Sequence, residues 1–314
     1  MKNRHLYALL VAFCFSACQN QSKVNTINKN LEPVAKDVSL QKVPIDAVLG
    51  IESMSILDSM IVCRSANTDR LFYCLDRKTF AVIDSMGTKG GGADEFIAPH
   101  FVAGANDWMI VDNGKRDIVW VKEDVKIRKV PLNIQSTLSN PMLYSDSLMC
   151  FIENYPNELI WELYNYETGK SVDKVTFKDE EQKGNAYMYD FTYGIGPDYL
   201  AIAQLNFNKI FIYEMKNKKM ELRSIVQGIE EEGKLYYSNI TCSQDRIYAL
   251  YQGNVDLENK TGESVIEVYS LDGELLESLK TNIIVDRFLL DEENSRILLL
   301  SPFDDDHMYW VSLK

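Results

Sequence analysis

The chain has 314 residues and carries 46 acidic against 33 basic side chains, a formal net charge of −13. Binding a nucleic-acid backbone relies on releasing counterions from a basic surface, so this balance excludes nucleic acid as a working partner. At 46% hydrophobic residues the chain can bury a large core, as one big domain or two ordinary ones, and 17 Tyr and 13 Phe beside only 8 Pro suit pleated, half-buried strands.

Lys2, Arg4 and His5 precede an apolar run from Leu6 to Phe15, followed by Ser16-Ala17-Cys18. A charged start and an apolar run of about ten residues are too short to span a bilayer and fit a secretory signal peptide over 1–17. Phe15-Ser16-Ala17-Cys18 resembles a bacterial lipobox, with Phe where Leu is usual. The resemblance implies that Cys18 carries the lipid, the alternative being an ordinary cleavable signal with an incidental cysteine. Each buried methylene of an acyl chain contributes about 0.8 kcal/mol, so several chains would anchor the protein without a transmembrane helix. Gln19 to Asp37 is polar and aperiodic, which makes 18–37 a lipidated cysteine followed by a flexible tether. By resemblance to lipoprotein sorting signals, Asn20 in place of an aspartate favours the outer membrane, facing the periplasm.

Beyond the tether one unit recurs. A polar turn followed by an apolar run appears at Asp58-Ser-Met-Ile-Val, Asp107-Trp-Met-Ile-Val, Asp146-Ser-Leu-Met-Cys, Asp198-Tyr-Leu-Ala-Ile, Asp245-Arg-Ile-Tyr-Ala and Ser295-Arg-Ile-Leu-Leu. The spacings are 49, 39, 52, 47 and 50 residues, about what four short strands and their turns need. Each is followed by an aromatic and β-branched phrase, as at Leu71-Phe-Tyr-Cys-Leu, Ile118-Val-Trp-Val and Ile210-Phe-Ile-Tyr. Most copies close on an outer strand, as at Ala81-Val-Ile-Asp-Ser and Val172-Asp-Lys-Val-Thr-Phe. The sixth copy ends before any such strand, but Val38-Ser-Leu-Gln-Lys-Val-Pro-Ile reads much like Ile127 to Leu132. The N-terminal strand is therefore expected to complete the last sheet and leave no open edge.

Gly87 to Val121 is the best-formed copy, and it resembles an NHL-type propeller repeat: Gly87, Gly90, Phe96, Pro99, Val102, Asp112, Asn113 and Arg116 fall in register with that pattern. Taken with the six repeats, the chain resembles the TolB-like or NHL-like six-bladed β-propeller lipoproteins. The resemblance implies an all-β fold over 38–314 in four-stranded blades, and a ligand-binding face built from the loops between second and third strands and between blades.

On that face the expected ligand-binding residues are His100, Asn113, Arg116, Asn154 and Asn206, although Asn, Asp and Gly are also what tight turns require. Gly90-Gly91-Gly92 lacks the Gly-Lys-Ser/Thr ending of a phosphate-binding loop and reads as an inter-blade loop, anchored by Glu95 and Phe96. No catalytic or metal-ligating set stands out, because only His100 and His307 lie beyond the signal and no Gly-x-Ser-x-Gly elbow occurs. Asp304-Asp305-Asp306-His307 is either a solvated hairpin tip or a loose calcium site. No cofactor is expected, calcium apart. Cys63 and Cys74 face each other if their hairpin turns at Thr68-Asp69, as paired thiols or a disulfide; Cys150 and Cys242 read as small core residues. The function expected is non-enzymatic: a lipid-anchored, monomeric envelope propeller binding a protein, peptide or glycan. The alternative is a metal-dependent hydrolase or lactonase, with Glu153, Asn113, Asn206 and Asp190 ringed around the channel.

Overall fold

The polar turns at Asp58, Asp107, Asp146, Asp198, Asp245 and Ser295 each reverse the chain between the first two strands of an antiparallel sheet. Asp58 (φ 52°) and Ser295 (φ 49°) adopt the left-handed conformation that lets such a turn be tight. The computed structural model describes residues 24–29, 35–45, 48, 50–65, 69–105, 107–122, 124–134, 136–178 and 186–313. The segment read as a signal peptide, 1–17, and Cys18 lie outside the described residues.

Six sheets follow one another along the chain. From inner to outer strand, blade 1 is Ile51–Leu57, Met60–Ser65, Phe72–Asp76 and Val82–Met86; blade 2 is Pro99–Phe101, Met109–Asp112, Asp117–Lys122 and Val125–Pro131. Blade 3 is Thr137–Ser145, Leu148–Asn154, Glu158–Asn165 and Lys170–Lys178; blade 4 is Phe191–Ile195, Tyr199–Gln204, Lys209–Lys216 and Lys219–Gln227. Blade 5 is Tyr237–Cys242, Arg246–Tyr251, Val265–Ser270 and Leu275–Lys280; blade 6 has Arg287–Asp291, Arg296–Ser301 and Asp304–Ser312.

Blade 6 takes its outer strand from the other end of the chain. Gln41–Pro44 pairs antiparallel with it, Val43 opposite Met308 and Gln41 opposite Trp310. The closure read from Val38 to Ile45 is thus observed. Lys42 reinforces it with an ion pair to Asp304 at 3.0 Å, and Asp304 also accepts from the Tyr309 hydroxyl and contacts His307 Nδ1 at 2.7 Å. The Asp304–His307 run is therefore part of the closing seam. Hydrogen bonds from Tyr309 first, then His307 and Lys42, hold the Asp304 carboxyl far below its usual range.

Six apolar clusters fill the spaces between adjacent blades. Second strands such as Met109–Asp112 are buried along their whole length because both faces are covered by neighbouring blades, whereas outer strands such as Val125–Pro131 alternate with solvent. The chain is closed at the blade 6–blade 1 seam by apolar residues from both ends of the sequence, Ile61 and Leu75 against Leu298 and Met308.

Two expectations need correction. Within 18–37, read as tether, Asn25–Asn28 pairs parallel with the outer strand of blade 4 and Lys36–Asp37 with that of blade 5. Both add to sheets that already have four strands, which is why no apolar alternation marks them. In blade 1, Cys63 stands opposite Tyr73 and Cys74 opposite Val62, one residue off the expected register. Their thiols therefore leave opposite faces of the sheet; both are free and buried, and burial pushes each up to about 12.

Candidate functional site: the channel mouth and upper face

Strand direction defines two faces. First strands run downward into the channel, so the turns between second and third strands and the inter-blade loops share the upper face, and the other turns share the lower one. The inner strands of all six blades enclose a central cavity of ≈ 550 Å³. At the upper ends of these strands stand Glu52, His100, Thr192, Ser238 and Arg287; Ile56, Met142, Ile240 and Leu290 follow below, so the mouth is polar and the throat more apolar.

The channel wall is stitched from blade to blade, at the mouth and below it. Arg64 pairs with Glu52 and donates to Pro99 O of blade 2 at 2.7 Å. Ala103 N donates to Pro141 O of blade 3 at 3.0 Å, and Leu143 N donates back to Ala103 O at 2.7 Å. Gly194 of blade 4 lies so close to blade 5 that an added Cβ would fall 2.5 Å from Thr241 Cα, so only glycine fits there. Asn239 reaches Phe288 O of blade 6 at 3.4 Å, and Arg287 reaches Ile51 O of blade 1 at 3.5 Å. These contacts preorganise the channel wall along its length, and those of Arg64, Asn239 and Arg287 hold the mouth.

His100 does line the channel, on the inner strand of blade 2. Burial first, then the nearby Arg64 guanidinium, pushes its imidazole down to about 4, so it is neutral at physiological pH and offers hydrogen bonds without charge. The other expected site residues occupy the second-to-third-strand tips but are engaged with the protein itself. Asn113 donates to Leu138 O at 2.8 Å and accepts from Leu138 N at 3.4 Å, clamping blade 2 to blade 3. Arg116, at φ 55°, donates to Ile134 O at 2.6 Å. Asn154 reaches Thr137 O and Asn206 reaches Met188 O, each at 3.4 Å. Asp112, adjoining Asn113, is buried and accepts from the backbone N–H groups of Ile97 (3.1 Å), Ala98 (3.0 Å) and Gly114 (3.1 Å), which fixes the blade 2 tip.

The glycine-rich loop cradles an anion, and that anion is its own Glu95. Gly92 N donates to Glu95 Oε2 at 2.6 Å, and an added Cβ on Gly90 would fall 2.1 Å from the same atom. Lys115 and Lys126 both donate to Glu95 O, at 2.8 and 2.6 Å, and Phe96 is buried between blades 1 and 2. Glu95 and Phe96 thus anchor the loop as expected.

Glu153, Asn113, Asn206 and Asp190 do not line the channel. Among the described residues, no three His, Cys, Asp or Glu side chains are grouped to hold a metal ion. Glu153 is buried instead beside Glu162, accepting from Ser136 Oγ at 2.5 Å and Tyr155 OH at 2.8 Å. Burial and the hydrogen bond shared with Glu153 push the Glu162 carboxyl up to about 8, so the pair retains a proton at neutral pH. Below pH 4.5 the folded and unfolded forms both hold that proton; between there and about pH 8 only the folded form does, so stability falls with rising pH by up to about 1.4 kcal/mol per unit. Glu162→Gln is expected to remove most of this slope. Melting curves at pH 5 and pH 8 would then differ less for the variant than for the wild type.

Glu52, Thr192, Ser238 and Arg287 were not among the expected site residues, because they sit on inner strands with no continuous apolar run to betray them.

No family model matches the chain, and no curated protein matches it by sequence. Among solved structures it is similar to a member of the DUF4221 family from Bacteroides vulgatus, at TM-score 0.57 and 12% identity, over 90% of this chain and 98% of that one. It is also similar to a Bacteroides fragilis protein described as exported, at TM-score 0.59 and 10% identity, over 93% and 99% of the two chains. A gluconolactonase from Xanthomonas campestris aligns at TM-score 0.54 and 10% identity, over 88% and 90%. At such identities the likeness carries the fold alone, and by that measure together with its six radial sheets the chain is a six-bladed β-propeller.

Proposed function

We propose that the protein is a cell-envelope binding propeller that captures a protein or peptide on its upper face, around the channel mouth. The observation that carries this reading is where large apolar side chains are exposed. In loops and turns they are Ile97, Met188, Ile229, Leu235, Leu257 and Phe303, all on the upper face and concentrated over blades 4 to 6. The remaining exposed ones, Val24, Val82, Ile83, Val125, Ile127 and Leu276, belong to the N-terminal segment and outer strands; among the described residues no lower-face turn contributes one. Exposed apolar surface gathered on one face and rimmed by polar groups marks an interaction site. Aromatic rings fit it as anchors: Tyr189 stacks on Phe207 at 5.8 Å, and Phe303 has Lys260 at 5.0 Å from its ring.

The lipobox at Cys18 and the likeness to an exported Bacteroides protein support a lipid-anchored envelope location, which we assign to the periplasmic side of the outer membrane. Val24 lies at the outer flank of blade 4, and the residues from Cys18 to it span at most about 20 Å. An anchor there would hold a monomeric propeller by its flank and leave the upper face accessible. Ile229→Glu/Leu257→Glu/Phe303→Ser is expected to reduce capture of a crosslinked envelope partner at least tenfold, whereas Lys218→Glu on the lower face should leave it unchanged. Equal capture by both variants would remove the basis for upper-face recognition.

A further inference from the structure

Asn25-Thr26-Ile27-Asn28-Lys29 is a polar segment with little to hold it in place by itself, yet it is held firmly. It pairs parallel with Ser224 to Gln227, Lys29 N donates to Gln227 O at 2.8 Å, and Gln227 Nε2 donates to Asn28 Oδ1 at 3.0 Å. Residues two apart on a strand share a face, and here Ile27 and Lys29 both turn into the seam between blades 4 and 5. Ile27 sits against Gly273, where an added Cβ would come within 2.9 Å of both Ile27 Cδ1 and Val226 Cγ2. Lys29 is buried, its side chain 3% exposed, and pairs with the Glu267 carboxylate, itself 4% exposed. The ammonium lies 4.0 Å from the Tyr251 ring centroid and 5.9 Å from that of Tyr237. Glu267 is oriented by the hydroxyls of Tyr269 at 2.6 Å and Tyr237 at 3.2 Å. Every wall of this pocket belongs to the propeller body.

We propose that this seam is an acceptor site for an extended peptide bearing an aliphatic-x-lysine pair, filled here by the chain's own Ile27 and Lys29. Main-chain pairing along a sheet edge supplies general affinity, and pockets for alternate side chains supply selectivity. The aromatic and carboxylate lining selects an alkylammonium: rings attract the cation through their faces, and a desolvated carboxylate demands a paired charge. Because the segment is a fifth strand, its exchange for an equivalent strand from another chain leaves the four-stranded blade whole.

The test uses the full chain with Lys29→Ala, which deletes the equivalent of n-propylammonium. Its melting temperature is expected to fall by roughly 5 °C, and about 20 mM n-propylammonium should restore at least half of the loss. Equimolar 1-propanol should restore none, and Lys29→Ala/Glu267→Gln should not respond. A labelled peptide of sequence Val-Asn-Thr-Ile-Asn-Lys should bind full-length Ile27→Ser/Lys29→Ala with a Kd on the order of 10 μM, and at least tenfold more weakly with norleucine in place of lysine. An unchanged melting temperature, rescue by propanol as well as by the ammonium, or peptide binding that ignores the lysine would each overturn the proposal. If Lys29→Ala does not fold, Lys29→Met carries the peptide titration with the same outcomes.

Discussion

A chain beginning at Ile45 is expected to melt at least 10 °C below the full-length protein, and to lose order at the end of the chain farthest from the cut. Truncation removes Gln41–Pro44, so the third strand of blade 6 becomes an open edge. It also strips Val43 from the apolar cluster between blades 6 and 1 and breaks the Lys42–Asp304 pair. In a closed ring this seam has no covalent support other than the chain passing through it, so opening one blade loosens both neighbours. Val43→Asp isolates the closing strand from the rest of the N-terminal segment and is expected to cost about 2–3 kcal/mol, through lost burial and an unpaired carboxylate at a half-buried position. Hydrogen exchange should then accelerate at Met308 and Trp310 before it does in blade 3. An unchanged melting temperature for the truncated chain would mean that the ring closes by other means.

The second large effect is expected on the lower side of the same seam. Asp291, fully buried, accepts from Arg77 Nε at 2.9 Å and Arg296 Nε at 2.8 Å, as well as from Asn294 Nδ2 at 3.0 Å. Arg77 belongs to the turn between the third and outer strands of blade 1, and Arg296 begins the second strand of blade 6. Arg296 also donates to Arg77 O, so one carboxylate organises a contact between the first and last blades. Asp291→Ala leaves the buried Arg296 guanidinium without its counter-ion and Arg77 with only the exposed Glu293 carboxylate at 2.5 Å, and is expected to cost about 3 kcal/mol. Burial alone would push the Asp291 carboxyl up, but hydrogen bonds from Arg77, Arg296 and Asn294 outweigh it and hold the group below its ordinary 3.8. Its contribution is therefore present above that value and lost as pH falls through the lower folded one. Asp291→Ala should accordingly flatten the acid limb of the stability curve, and denaturant titrations at pH 3 and pH 7 would show it. A cost below about 1 kcal/mol would make the cluster incidental to closure.

How far the fold was legible follows from which strands have both faces covered. Second strands such as Ile61 to Cys63 and Leu298 to Leu300 are buried on both sides, so they appear in sequence as apolar runs at regular spacing. Third strands carry the aromatic rings that fill the widening gaps between blades, as Trp161 and Tyr164 do. Inner strands escaped notice because one side of each faces the channel: in Ile51–Leu57 the apolar residues are interrupted by Glu52, Ser53 and Ser55, and Pro99–Phe101 is only three residues long. The candidate site is built from those strands, so of the residues lining it only His100 was among the expected ligand-binding residues. Asn113 and Arg116 were visible as turn residues, but their engagement with Leu138 and Ile134 depends on the neighbouring blade and has no local signature. The same holds for Asn25–Asn28, whose pairing uses the backbone while its side chains, Ile27 apart, face solvent. The Cys63–Cys74 register failed by one residue, enough to send the two thiols to opposite faces.

Recognition through the upper face is tested most directly by site-specific photo-crosslinking in intact cells. A crosslinking side chain placed at Phe303 or Met188 should yield a discrete protein adduct, and one placed at Asn217 or Glu292 on the lower face should yield none. Adducts from Asn217 or Glu292 alone would contradict the assignment.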